Sequence, residues 1–182
     1  FSMATQASKN PFIEAFHKKT FHTRDEAIPF DQLALEHFIP AMQFGIEQAR
    51  KNINAVKENT TTPNFENTIM ALETASECFE GVQSVYFNLF SAEATEALQA
   101  LAKDISPISA AFASDVSLDL VLFEKIKAVY DSRESFSLNP EQVRLVEKYY
   151  KDFSRNGALL SESDKEKLRQ IDQELSVLGP QF

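Results

Sequence analysis

The stretch TPNFENTIMALETA, Thr62 to Ala75, combines a helix start signal with the first turns of an amphipathic helix. Thr62 and Asn64 are N-cap residue types, because a short side-chain oxygen accepts from a backbone N–H that has no partner inside the helix. Pro63 suits the first turn, where its missing N–H is not needed, and Glu66 complements the positive end of the helix dipole. Phe65, Ile69 and Leu72 open an apolar stripe that continues through Ala75, Phe79, Val82, Tyr86 and Leu89. Steps of three and four residues are the helical period. Asn67 stands apart, since a cap and a glutamate already account for the helix start. It is expected either to satisfy a neighbouring loop or to touch a part of a longer protein.

The same period governs the chain on both sides of this stretch. Phe38, Met42, Ile46 (or Gly45), Ala49, Ile53 and Val56 form an earlier stripe, with Pro40 in its first turn. Ala94, Leu98, Leu101, Ile105, Ile108 and Phe112 form a later one, and Pro107 inside it predicts a kink or break near Ser106. A shorter helix is predicted from about Leu118 to Asp131, with Leu122, Ile126 and Val129 or Tyr130 inward. Asn139-Pro140-Glu141-Gln142 reads as a capping box at the head of the next, which ends near Gly157. Ser161-Glu162-Ser163-Asp164 starts the last, with Leu168, Ile171, Leu175 and Leu178 in helical steps. The first 35 residues are less regular, and IPFDQLALEHF reads as an extended segment leading into a short helix. No segment alternates with period two for long enough to make a strand. Short connections favour antiparallel neighbours. The expected fold is all-α, a bundle of about six long, mostly antiparallel helices in one domain over residues 10–182. Residues 1–9 read as a tag remnant and disordered N-terminus.

Composition agrees and removes several function classes. With 43% hydrophobic and 25% charged residues, 182 residues can bury a substantial core. Sixteen Phe and no Trp put Phe and Leu in the interior, and only four Gly argue against glycine-loop architectures. The net charge of −9 is shared by both halves: residues 1–91 carry 11 acids against 7 bases, and residues 92–182 carry 16 against 11. Neither half is a basic footprint for nucleic acid or an anionic membrane. No apolar run reaches the roughly 20 residues that cross a bilayer, and the N-terminus lacks the basic and apolar regions of a signal peptide. A single cysteine, Cys78, leaves no disulfide framework and fits a cytoplasmic location.

A self-sufficient catalytic site is not readable. His17 and His22 are five residues apart with no acid between them, and Glu36-His37 has no second histidine. None of these fits H-E-x-x-H, in which two imidazoles one turn apart hold a zinc. Cys78 has no nearby histidine base and reads as a small core residue on a helix. Glu73 and Glu77 are at helix spacing, as acidic surface pairs commonly are. From Lys57 to Lys103 there is no intervening Lys or Arg, while Glu58, Glu66, Glu73, Glu77, Glu80, Glu93 and Glu96 lie there. A negative wall facing a basic peptide or domain is one reading, and a solvated face is the commoner one.

Segment order carries a resemblance. NPF at 10–12, IPFDQL at 28–33, LEHFIPAM at 35–42 and TPNFENTIMALE at 62–73 are followed by VYFNLFSA at 85–92, LFEKIKAVYDSRE at 122–134 and EQVRLVEKYYKDFSRNGALLS at 141–161. Together they resemble the N-terminal helical region of the thimet-type zinc oligopeptidases, the group of oligopeptidase A and peptidyl-dipeptidase Dcp. The F-E-N-T-I-x-A-L-E string and the set Tyr150, Phe153, Arg155, Gly157, Ala158 and Leu160 are specific in combination. The likeness runs from Asn10 to Leu178. FHTRDEA at 21–27 departs from the proline- and glycine-containing link of that pattern, and Gly179-Pro180 departs from its helical continuation.

The resemblance implies a helical shell around a deep channel, and a zinc held by H-E-x-x-H and a downstream glutamate that hydrolyses short peptides. No residue here matches those ligands, so catalytic and metal residues in this chain are none and substrate-binding residues are unknown. Zinc is expected in the catalytic domain of a parent chain, which with its oligopeptide substrates would be the partner. The expected function is a non-catalytic shell domain limiting substrate access. A free-standing helical interaction module without peptidase activity is the alternative. Apolar stripes left exposed would favour a piece of a larger body.

Overall fold

Asparagine, at three places, decides where a helix begins. In the computed structural model, which describes residues 10–17 and 35–178, Asn10 heads α1 (Pro11–His17). Its Oδ1 accepts from Phe12 N at 3.0 Å, and its Nδ2 donates to the His37 carbonyl at 2.8 Å. A 3₁₀ turn (Leu35–His37) then leads into α2 (Phe38–Glu58). Asn64 heads a π-helical turn (Phe65–Met70) that runs directly into α3 (Ala71–Ala75). The helices α4 (Glu77–Ala92), α5 (Glu96–Ser117) and α6 (Leu120–Asp131) follow, then a 3₁₀ turn (Arg133–Ser135). Asn139 heads α7 (Pro140–Arg155), and α8 (Glu162–Leu178) completes the order. The fold is an all-α bundle, with no strand among the described residues.

The chain divides into two compact units, each drawn from two stretches of sequence. One comprises the described residues up to Arg50 together with Ser76–Ile105. In it Phe12 packs on Phe38 with ring centroids 5.1 Å apart, and Phe38 meets Tyr86 edge-on at 5.7 Å. Tyr86 is buried and donates its hydroxyl to the Leu98 carbonyl at 3.0 Å, so its polar end is satisfied inside. The inner stripe of α2 passes through Gly45, which is buried, and Ile46 beside it is only half-buried. A Cβ on Gly45 would sit 2.8 Å from Phe79 Cα and 2.9 Å from Phe79 N. Glycine is therefore what lets α4 approach α2 this closely.

The second unit comprises Lys51–Ala75 and the residues from Ser106 onward. Leu122, Phe123, Ile126 and Val129 of α6 are buried, as are Val146 and Phe153 of α7. Between these helices Tyr130 and Tyr150 stack at 4.0 Å with planes 7° apart, Phe123 continues the stack at 5.9 Å, and the Arg133 guanidinium lies 4.0 Å over the Tyr130 ring. Asp119 does two jobs: Oδ1 caps α6 by accepting from Leu122 N at 3.1 Å, and Oδ2 meets Lys57 Nζ of α2 at 2.6 Å. Lys125 donates to the Asn59 carbonyl at 2.7 Å, just past the end of α2.

Several expectations are corrected. The stripe from Phe65 to Leu89 is not one helix: α3 ends at Ala75 and α4 restarts at Glu77, and the freed Ala75 carbonyl accepts from Asn52 Nδ2 at 3.1 Å. Of the kink or break expected near Ser106, the break does not occur, since α5 runs on through Pro107. The carbonyl deprived of its partner belongs to Lys103, which is exposed, so water can serve it. Helix α1 falls where no regular structure was expected. His22, the segments 21–27 and 28–33, residues 1–9 and Gly179-Pro180 lie outside the described residues.

Two further caps match their sequence signals. Asn139 and Gln142 exchange reciprocal bonds at 3.0 and 2.9 Å, and Gly157 sits at φ 102 beyond α7. Among the described residues no single helix is long and apolar enough to cross a membrane.

Candidate functional site

The π-helical turn is wider than an α-turn because each bond spans one more residue, and turns of this kind concentrate at functional places. Here, through Asn67, it joins α3 in one wall of an open groove within the second unit. Asn52, Ala55, Val56 and Asn59 line the α2 side, and Asn67, Ala71, Thr74 and Ala75 line the other, enclosing about 400 Å³. Val56 and Ala75 are buried at its base, and the amides of Asn52, Asn59 and Asn67 border it.

Most of that polarity is already committed to the fold. Asn67 Oδ1 accepts from Asn64 N at 2.8 Å and from the Thr68 hydroxyl at 2.9 Å. Its Nδ2 donates to Thr61 Oγ1 at 3.2 Å and the Thr62 carbonyl at 3.0 Å. Asn64 Oδ1 returns a bond from Asn67 N at 2.8 Å, which makes a capping box from two asparagines. Asn67 thus satisfies the neighbouring loop, the first of the two roles expected for it. Asn59 Oδ1 accepts from the backbone and hydroxyl of Thr61. The lining holds no acid, base or thiol, and its one hydroxyl, that of Thr74, donates to the Met70 carbonyl at 3.1 Å. The groove therefore offers groups to position a ligand but none to activate it.

The sequence candidates are scattered. His37 lies in the 3₁₀ turn before α2, and His17 is the last residue of α1. Cys78 is buried in the first unit, and burial pushes its thiol up to about 11. A thiol so raised is not a nucleophile near neutral pH. Glu73 accepts from the Tyr149 hydroxyl, a tie between α3 and α7. Glu58, Glu66, Glu73, Glu77, Glu80, Glu93 and Glu96 are all exposed, divided between the two units. Among the described residues no group of three or more His, Cys, Asp or Glu side chains could hold a metal ion. The described residues therefore do not fit a zinc centre.

Comparison with known proteins finds relatives among the peptidases. No protein-family model matches the chain. It is 39% identical over 153 residues to a dipeptidyl carboxypeptidase of Escherichia coli, covering 84% of this chain and 22% of that protein. It is 23% identical over 175 residues to a probable cytosolic oligopeptidase A of Arabidopsis thaliana, covering 96% of this chain and 24% of the relative. Against oligopeptidase A of Escherichia coli the identity is 22% over 157 residues. The chain spans less than a quarter of the length of the curated relatives it matches. A helical chain matched over most of its own length to two named kinds of peptidase is homologous to one region of the dipeptidyl carboxypeptidases and oligopeptidases A.

Proposed function

We propose that residues 10–182 act as one non-catalytic domain, the N-terminal shell region of a zinc metallopeptidase that hydrolyses oligopeptides. Its task would be to help limit which substrates reach a channel in the parent, in a cytoplasmic setting that suits a single buried thiol. The observation that carries this reading is the 39% identity over 153 residues to a dipeptidyl carboxypeptidase four to five times the matched length. The absence of a metal-holding group among the described residues supports placing the chemistry elsewhere in the longer protein.

The test is an assay of the purified chain against a mixed oligopeptide set with added zinc, together with metal analysis after dialysis. The expected outcome is no hydrolysis and no stoichiometric zinc. Chelator-sensitive cleavage by the chain alone would overturn the proposal.

A further inference from the structure

Helix α8 is amphipathic, but it faces the wrong way. Its one buried residue is a lysine, Lys165, which is 3% exposed and lies 3.3 Å from Glu162 Oε1. Its large apolar residues face out instead: Ile171 is 51% exposed, Leu175 59% and Leu178 48%. Polar contacts tie one face of α8 to its unit. Asp172 Oδ2 accepts from the Ser114 hydroxyl at 2.8 Å, and Arg169 Nε lies 3.3 Å from Asp115 Oδ1, both partners on α5. At about 100° per residue, Lys165, Arg169 and Asp172 share one face of α8. Leu168, Ile171, Leu175 and Leu178 share another, roughly a third of a turn away.

The apolar face also continues past the helix. A Cβ on Gly157 would lie 2.7 Å from Leu160 Cδ1 and 3.2 Å from Leu168 Cδ2, so both leucines cover that turn. Leu160 is 43% exposed and Leu159 beside it 66%. Single exposed leucines are ordinary, whereas a run of large apolar side chains along one helix face and its preceding turn marks a surface that is covered in the working protein.

We propose that this face, Leu160 with Leu168, Ile171, Leu175 and Leu178, is where the remaining part of the longer peptidase chain docks. The occupant is argued from length and chemistry. The matched relatives carry more than three-quarters of their length outside the region shared with this chain. The face also offers that remainder apolar side chains at helical spacing, which suit an apolar helix packed alongside. The inference rests on the proposed function and adds a specific docking surface to it.

The experiment uses the chain by itself and a chimera in which it replaces the matched region of the Escherichia coli dipeptidyl carboxypeptidase. Hydrogen exchange of the α8 backbone is compared in the two, with peptide hydrolysis measured on the chimera. Protection of α8 in the chimera by at least tenfold over the free chain is expected. The pair Ile171→Lys and Leu175→Lys should abolish that gain while leaving the helicity of the free chain unchanged. The pair Gln170→Lys and Gln173→Lys, which adds the same charge to the opposite side, should preserve it.

Equal exchange in a chimera that still hydrolyses peptides would overturn the docking face and leave the proposed function standing. Protection without hydrolysis would do the reverse, and loss of both removes both. Sedimentation of the free chain covers the remaining occupant. A dimer abolished by the Ile171→Lys and Leu175→Lys pair would assign the face to a second copy and overturn the proposal.

Discussion

Phe65 is 5% exposed at the head of the π-helical turn, where its ring is the first buried side chain of the stripe. Replacing it by Ala is expected to lower stability by about 3 kcal/mol, read by urea unfolding, since a cavity adds to the lost transfer energy. An unchanged midpoint would refute its anchoring role. Asn67→Ala removes a reciprocal cap and two bonds to the 61–62 loop, and about 1 to 2 kcal/mol is expected on the same scale. Caps are legible because their partners lie three residues apart. Asn139 and Gln142 follow the sequence signal in full, and the same Asn-Pro signature at Asn10-Pro11 marks α1, where seven residues are too few to show a period. The bonds from Asn67 back to Thr61 and Thr62 follow no motif, and only the folded loop reveals them.

Between elements, the deciding quantities are close approaches that a one-dimensional pattern does not encode. Gly45→Ala places a methyl against the Phe79 backbone, which cannot rotate away as a side chain can. A loss of roughly 1 to 3 kcal/mol is expected, as overpacking costs in a tight core. A Tm unchanged from the wild type would mean that α2 and α4 do not meet there. The sequence leaves Gly45 and Ile46 as equals on the stripe, because both fit a three- or four-residue step from Met42. The break at Ser76 is hidden for a related reason. Leu72, Ala75 and Phe79 keep perfect helical spacing, while the amide that accommodates the break comes from Asn52, 23 residues earlier. The break that Pro107 allowed for does not occur, as its i−4 partner Lys103 is an exposed residue and the helix tolerates the proline. The α8 stripe is legible as a helix face, but its outward orientation is set by polar ties to Ser114 and Asp115 that spacing does not report.

At the scale of the molecule, the family was legible from segment order, whereas the groove was not, since residues 52–59 and 67–75 become neighbours only in the fold. Ionisation links the first unit to global stability. Burial raises both the Cys78 thiol, to about 11 from 9.0, and the Tyr86 phenol, so the folded state keeps protons that the unfolded state releases. The Cys78 contribution is fully present below pH 9 and is lost as pH rises from 9 through 11. Urea unfolding of wild type and Cys78→Ala at pH 8 and pH 10 is expected to show the steeper loss in wild type. Parallel losses would place the thiol in water.

The tyrosine stack has an optical consequence. The chain has no Trp and four Tyr, so its near-ultraviolet circular dichroism comes chiefly from tyrosine. Tyr130 and Tyr150 lie face to face at 4.0 Å, close enough for their transitions to couple, while Tyr86 belongs to the other unit. The coupled signal therefore reports the docking of α6 on α7 alone. The difference between the protein and its Tyr130→Phe variant would separate that signal from those of Tyr86 and Tyr149 and give a protein without tryptophan an optical reporter of the α6–α7 contact.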